Sequence, residues 1–231
     1  MRAPEGVTMG WRGLLAAAAV AALLLSGCTT TITGAARPDL RGPGVELTPD
    51  GAGIILGFTD AAVQLELFTE PQCHRCAYLQ SEYGDEIKSH LDSGRLALTY
   101  RPMMFLDDVT GSGYSATVTN ALFLAVDPAV SAGGYQGFVQ QLWAHQDLSQ
   151  LRFSDGDFAA IATRSGLPAP VVQSIGQGTD AVDTAAVADV NAALLEEVYG
   201  EVATPVVYDP ASRETLDIDD PRWLADLMRS A

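Results

Sequence analysis

The chain has 231 residues, 48% of them hydrophobic and 18% charged, and a formal charge of −16. That composition suits one globular domain with a targeting segment and excludes extensive disorder. The charge argues against a nucleic-acid footprint, which needs clustered Lys and Arg to neutralise phosphates, and against adsorption to an anionic membrane surface without an anchor.

Residues 1–27 have the pattern of an export signal. Arg2 and Arg12 precede an apolar run of 12 residues from Leu14 to Leu25, too short for the roughly 20 residues that span a bilayer. The run ends in Leu25-Ser26-Gly27-Cys28, which resembles the lipobox of bacterial lipoproteins, in which the Cys carries diacylglycerol and becomes the mature N-terminus. Cys28 is therefore the expected lipidation site. Of three cysteines, this leaves Cys73 and Cys76 as a pair. Loss of Arg2, Glu5 and Arg12 with the signal takes the formal charge from −16 to −17, so the acidity belongs to the domain. Residues 28–44, small, polar and punctuated by Pro38 and Gly42-Pro43-Gly44, read as a tether.

Ile54–Leu56 between Gly53 and Gly57, and Val63–Phe68, read as strands. From Cys73 the period changes: Cys76, Leu79, Tyr83, Ile87 and Leu91 share one face of a helix ending near Gly94. Leu96, Leu98 and Tyr100 alternate in a third strand that stops at Pro102. Between 115 and 199 the pattern is helical, with helices predicted at 115–126, 135–146, 155–165, 168–176 and 180–199, separated by Pro128, Gly133-Gly134, Gly166, Pro168, Gly176 and Gly178. Val206–Tyr208 follows Thr204-Pro205 as a strand, Arg213–Ile218 returns as a hairpin arm, and a last helix starts at Pro221, with Asp219 or Asp220 as its cap.

The Cys73-His74-Arg75-Cys76 motif is placed for disulfide exchange, in which a thiolate attacks. Cys73 lies at a predicted helix N-terminus, where free amides and the helix dipole favour an anion. Arg75, and His74 when protonated, add positive charge and are expected to tune the pair; the His contribution fades above about pH 6.5. Cys73 is thus the expected nucleophile, and Cys76, one turn on and more buried, the resolving thiol. A stabilised thiolate stabilises the reduced form and makes the disulfide oxidising: a pKa of ~3.5 accompanies ~−120 mV and a pKa near 7 accompanies ~−270 mV in known pairs. A zinc site would need further ligands, and only His90 and His145 lie outside the motif. An inert structural disulfide would gain little from so short a loop.

Strand, sharp turn, C-x-x-C opening a helix, a following strand and a later Thr-Pro together resemble the DsbA-like branch of the thioredoxin fold. Pro205 follows Cys73 by 132 residues through a helical segment similar to the DsbA insertion. Tyr100-Arg101-Pro102 looks like the corresponding turn, and Gly51–Phe68 like the leading strand of envelope members. The resemblance implies an α/β thioredoxin fold with an inserted all-helical subdomain at about 110–200 of a 45–231 domain. It implies a cis Pro205 facing the disulfide, with Thr204 and Pro205 as the polypeptide-binding lip. It also implies a buried acid beneath the pair, assigned to Glu66 with Glu70 as the alternative. DsbA-like proteins commonly have Pro first in the intervening dipeptide, whereas this chain has His.

The expected activity is protein thiol-disulfide oxidoreductase, acting in the oxidising direction on exported polypeptides from the extracytoplasmic face of the cell membrane. Its redox-active Cys73–Cys76 disulfide would need no further cofactor, metal or nucleic acid, and an envelope redox partner would recycle it. The alternatives are a reductase or isomerase of the same fold, or a lipoprotein that only binds a partner or metal.

Overall fold

The computed structural model describes residues 42–146 and 153–230. Signal segment, Cys28 and tether as far as Arg41 lie outside the described residues.

A six-stranded mixed sheet forms the centre, in the order β1-β2-β4-β3-β5-β6. Its strands are β1 (Gly44–Leu47), β2 (Ile54–Gly57), β3 (Val63–Thr69), β4 (Leu96–Pro102), β5 (Val206–Asp209) and β6 (Glu214–Thr215). Only β3 and β4 pair in parallel, from Val63 opposite Leu96 to Thr69 opposite Pro102; the other neighbours are antiparallel. A parallel neighbour requires a crossover, and α1 (His74–Asp92) provides it. Cys76, Leu79, Ile87 and Leu91 of the predicted stripe are buried, while half-buried Tyr83 meets the Trp223 ring edge-on at 5.4 Å. Gly94, at φ +70°, ends the helical segment in a conformation that a side chain would strain.

Between β4 and β5 the chain forms α2 (Phe105–Thr110), α3 (Tyr114–Leu124), α4 (Ala132–Ala144), α5 (Asp155–Arg164), α6 (Ala169–Gln177) and α7 (Thr184–Tyr199). Five of these match the predicted helices. The short α2 is not among the predicted helices, as it buries no residue and carries no apolar period. After β6 the chain forms α8 (Trp223–Ser230), which starts two residues after Pro221. Two further boundaries differ from the sequence reading. The tether was assigned through residue 44, but Gly44 already pairs with Gly57 as the edge of the sheet. The returning hairpin arm shrinks to Glu214–Thr215, preceded by Arg213 at φ +60°.

Two buried polar networks lock the insertion to the sheet. The Tyr100 hydroxyl of β4 donates to Gln136 Oε1 of α4 at 2.6 Å and accepts from Gln80 Nε2 of α1 at 3.0 Å. Gln136 Nε2 closes the ring on Gln80 Oε1 at 2.9 Å. All three side chains are buried, so each polar atom lost to water regains a partner inside. Asn191 of α7, fully buried, donates to the carbonyls of Ala52 and Pro102, both at 2.9 Å. The last turn of β4 is thereby held from the insertion side.

Candidate active site

The register of three strands assembles the site. β5 runs antiparallel to β3 with Val206 opposite Phe68, so the two residues before Val206 arrive beside the end of β3, where the chain turns into α1. That brings Thr204 and Pro205 against Cys73: Sγ lies 3.5 Å from the Thr204 carbonyl oxygen, across 131 residues of chain. The Thr204–Pro205 peptide is cis. A cleft of about 360 Å³ opens beside them, bordered by Arg75, Thr204, Pro205, Leu216, Asp217 and Asp219.

Cys73 is the N-cap of α1, with an extended backbone at φ −79° and ψ 118°. Both cysteines are free thiols, Cys73 half-buried and Cys76 only 1% exposed. The two differ sharply in acidity. Hydrogen bonding from the Cys76 thiol is the largest of the stabilising influences that bring Cys73 down to about 5, helped by Thr204 and by the amides of Cys76 and Arg75 against the opposing effect of burial. Burial first, and then the neighbouring Cys73 sulfur, push Cys76 well above an ordinary thiol. The buried Thr204 hydroxyl makes no hydrogen bond among the described residues, and its side chain is one of the groups that lower the Cys73 pKa.

The source of this acidity corrects the sequence reading of the dipeptide. His74 is exposed. Arg75 is 64% exposed and turns away to Asp219, Nη2 to Oδ1 at 2.5 Å, which neutralises its charge locally. The thiolate is favoured by donors converging on the sulfur rather than by the two basic side chains. Local sequence could show that His74 and Arg75 adjoin Cys73, but not that Asp219 takes up Arg75.

The buried acid is also placed differently from the first assignment. Glu66 lies in mid-strand and accepts from Arg101 Nε at 3.0 Å, in a cluster where Arg101 Nη1 also reaches Asp50 at 2.7 Å. Glu66 thus answers a buried arginine of β4. The carboxyl group next to the cysteines belongs to Glu70, which is fully buried in the turn between β3 and α1. Burial raises its pKa to about 7 despite hydrogen bonds from Ser115 and the Gln72 amide, with Cys73 and Asp107 adding repulsion. The Glu70 backbone amide and the Thr69 hydroxyl attend the Cys76 sulfur.

Three further residues complete the surroundings, and sequence reading named none of them: Gln72, Ser115 and Gln146. Gln146 Nε2 donates to the carbonyls of Pro71 and, at 3.2 Å, Cys73, bracing the turn from the end of α4. Gln72 is buried and bridges to the insertion. Among the described residues no cluster of His, Cys, Asp or Glu is arranged to hold a metal ion.

A family model described as Thioredoxin matches residues 50–197. The chain belongs to the thioredoxin family. Within it the fold is the DsbA-like variant with a helical insertion. MdbA, a thiol-disulfide oxidoreductase from Corynebacterium matruchotii, superposes with a TM-score of 0.66 at 24% identity, over 80% of this chain and 92% of that one. The Corynebacterium diphtheriae MdbA gives 0.65 at 22% identity, over 83% and 96%. Reduced DsbA from Mycobacterium tuberculosis gives 0.59 at 16% identity, over 78% and 92%. In sequence, 188 residues are 27% identical to the serine/threonine-protein kinase PknE of Mycobacterium tuberculosis, covering 80% of this chain and 33% of the kinase. This thioredoxin-family chain thus spans about a third of the length of the curated relatives it matches.

Proposed function

We propose that the protein is a thiol-disulfide oxidoreductase acting on the thiols of exported polypeptides. One observation carries this reading: two cysteines one helical turn apart, the outer half-exposed and acidified to about 5, the inner buried with its pKa raised. That asymmetry assigns roles. Cys73 is the sulfur that meets substrate, because it is reachable and is the better leaving group. Cys76 resolves, because it is ionised only when a nearby base accepts its proton.

In the oxidising direction a substrate thiolate attacks Cys73 Sγ of the Cys73–Cys76 disulfide. The S–S bond breaks, and Cys76 leaves with the electron pair and is protonated from Glu70. A second substrate thiolate then attacks the substrate sulfur of the mixed disulfide. Cys73 departs as a thiolate, the substrate is left oxidised and the enzyme reduced. The Thr204–Pro205 lip would hold the substrate backbone against the sulfur, beside the cleft. No cofactor beyond the cysteine pair enters these steps.

A Cys73 pKa of about 5 lies between those of the strongly oxidising and reducing pairs, and supports an oxidising potential between ~−120 and ~−270 mV. An envelope partner must then restore the disulfide. The Leu25–Cys28 lipobox and the preceding apolar run support lipidation at Cys28, with the domain on the extracytoplasmic face of the cell membrane.

The Cys76→Ser variant tests the exchange step: expressed in an exporting host, it should accumulate DTT-sensitive adducts with envelope proteins. A Cys73→Ser control should lack them. Equal adducts in both, or none in either, would overturn the assignment. A measured potential at or below that of thioredoxin would overturn the oxidising direction alone.

A further inference from the structure

The carboxyl group of Glu70 is not held by the thioredoxin core alone. Its Oε2 accepts from the Gln72 amide at 2.6 Å, within the turn. Its Oε1 accepts from the hydroxyl of Ser115, the second residue of α3 and fully buried. The direction of that second bond is fixed by what surrounds it. Gln72 Nε2 donates to Asp107 Oδ1 at 2.8 Å and to Ser115 Oγ at 2.9 Å. A nitrogen between a carboxylate and a hydroxyl must be the amide's donor end, so Ser115 Oγ accepts there. A hydroxyl has one proton, and that of Ser115 is therefore committed to Glu70. Asp107 in turn receives the amides of Ser115 at 3.1 Å and Ala116 at 2.9 Å, which pins the first turn of α3 and leaves Ser115 little freedom.

We propose that Ser115 of the helical insertion is a positioning residue that keeps Glu70 in its proton-accepting form beside the cysteine pair, so that the insertion governs how readily Cys76 is deprotonated. The inference rests on the exchange reaction above. When Cys76 resolves a mixed disulfide, its thiol passes a proton to the Glu70 carboxylate. The Cys76 thiolate attacks Cys73 Sγ, and the substrate sulfur leaves with the electron pair of the broken bond. A donor fixed on the carboxylate favours the ionised acceptor, whereas burial favours the protonated one. The charged or titratable groups facing the Glu70 carboxyl are Cys73 at the N-cap of α1 and Asp107 from α2, while the Cys76 sulfur, one turn on, meets the Glu70 backbone amide; α3 contributes the neutral Ser115. Loss of Ser115 leaves burial and the repulsion from Cys73 and Asp107 opposed only by the Gln72 amide.

The test follows the two release phases when the reduced full chain meets dithiobis-nitrobenzoate. Cys73 displaces the first chromophore, and Cys76 displaces the second as it resolves the mixed disulfide. The rate of the second phase should inflect near pH 7 in the natural protein. Ser115→Ala should move that inflection upward by roughly one to two pH units, the scale of one hydrogen bond to a charged group. Ser115→Thr should restore it, and Glu70→Gln should abolish it and make Ser115→Ala silent. Near-UV circular dichroism establishes that each variant is folded. An unmoved inflection in folded Ser115→Ala, or an equal effect in the Glu70→Gln background, would overturn the role of Ser115 while leaving the exchange chemistry intact. Absence of the first phase would overturn both.

Discussion

At the scale of single residues, the acidity of Cys73 comes from convergent donors, and this separates it from what the motif suggests when read as text. The pH dependence of iodoacetamide labelling should rise with a midpoint near 5 for Cys73, with Cys76 inert until strongly alkaline pH. Arg75→Gln should move that midpoint by less than about half a unit, because an exposed, ion-paired charge contributes little. Thr204→Val, which removes a hydroxyl facing the sulfur, should raise it by about one unit, a fraction of what a hydrogen bond to a charged group is worth. The reverse ranking would restore the basic dipeptide as the tuning element. The Cys73–Cys76 pair at the head of a helix was legible because the motif is local, and the approach of the cis Thr204–Pro205 peptide to Cys73 was legible only through the family resemblance, since it spans 131 residues. Glu70 was harder to choose over Glu66. The choice depends on Arg101, a strand away in space and 35 residues on in sequence, which claims Glu66.

At the scale of elements, Pro128, Gly166, Pro168 and Gly178 delimit the insertion helices because a backbone that cannot continue a helix advertises it locally, whereas Gly133-Gly134 and Gly176, read as separators, lie inside α4 and α6, where tertiary packing overrides their weak helix propensity. Strand β1 escaped notice, as four residues whose pairing with β2 decides their state show little period of their own. The attachments between elements were invisible for the same reason: Asn191 looks like any polar residue on a helix until Ala52 and Pro102 are seen facing it. Asn191→Leu retains the volume but strands two carbonyls, one of them on the residue that ends β4. Chemical denaturation should show a loss of about 2–6 kcal/mol, from about 1–3 for each unsatisfied buried group, without loss of helix content in far-ultraviolet circular dichroism. A loss below about 0.5 kcal/mol would mean that water replaces the amide.

At the scale of the whole molecule, redox state and stability are linked through one proton. The folded-state pKa of Cys73 is depressed from 9.0 to about 5. Its contribution to the reduced form is therefore present above the unfolded value and lost as pH falls through about 5. Glu70 runs the other way: raised from 4.5 to about 7, it favours the folded state at acid pH and loses that contribution as pH rises through about 7. Burial, the largest cause of the Glu70 shift, acts in both redox forms and the thiolate in only one, so the difference between them follows mainly Cys73. Reduced protein should melt above oxidised protein at pH 7, with the gap narrowing as pH falls towards 5, measurable by calorimetry at matched ionic strength. A gap that widens on acidification would contradict the assignment of the depressed pKa to Cys73.

The contact between Cys73 and Thr204 spans most of the domain in sequence, and this has a consequence for biogenesis. A chain emerging from a ribosome or a translocation channel presents Cys73 long before residue 204 exists to meet it. Until the insertion has folded and the last strands have joined the sheet, the sulfur lacks the Thr204 side chain, one of the groups that lower its pKa, and behaves more like an ordinary thiol, less prone to couple with neighbouring nascent chains. Arrival of the C-terminal segment arms the reactive sulfur, so competence for exchange marks the completed chain.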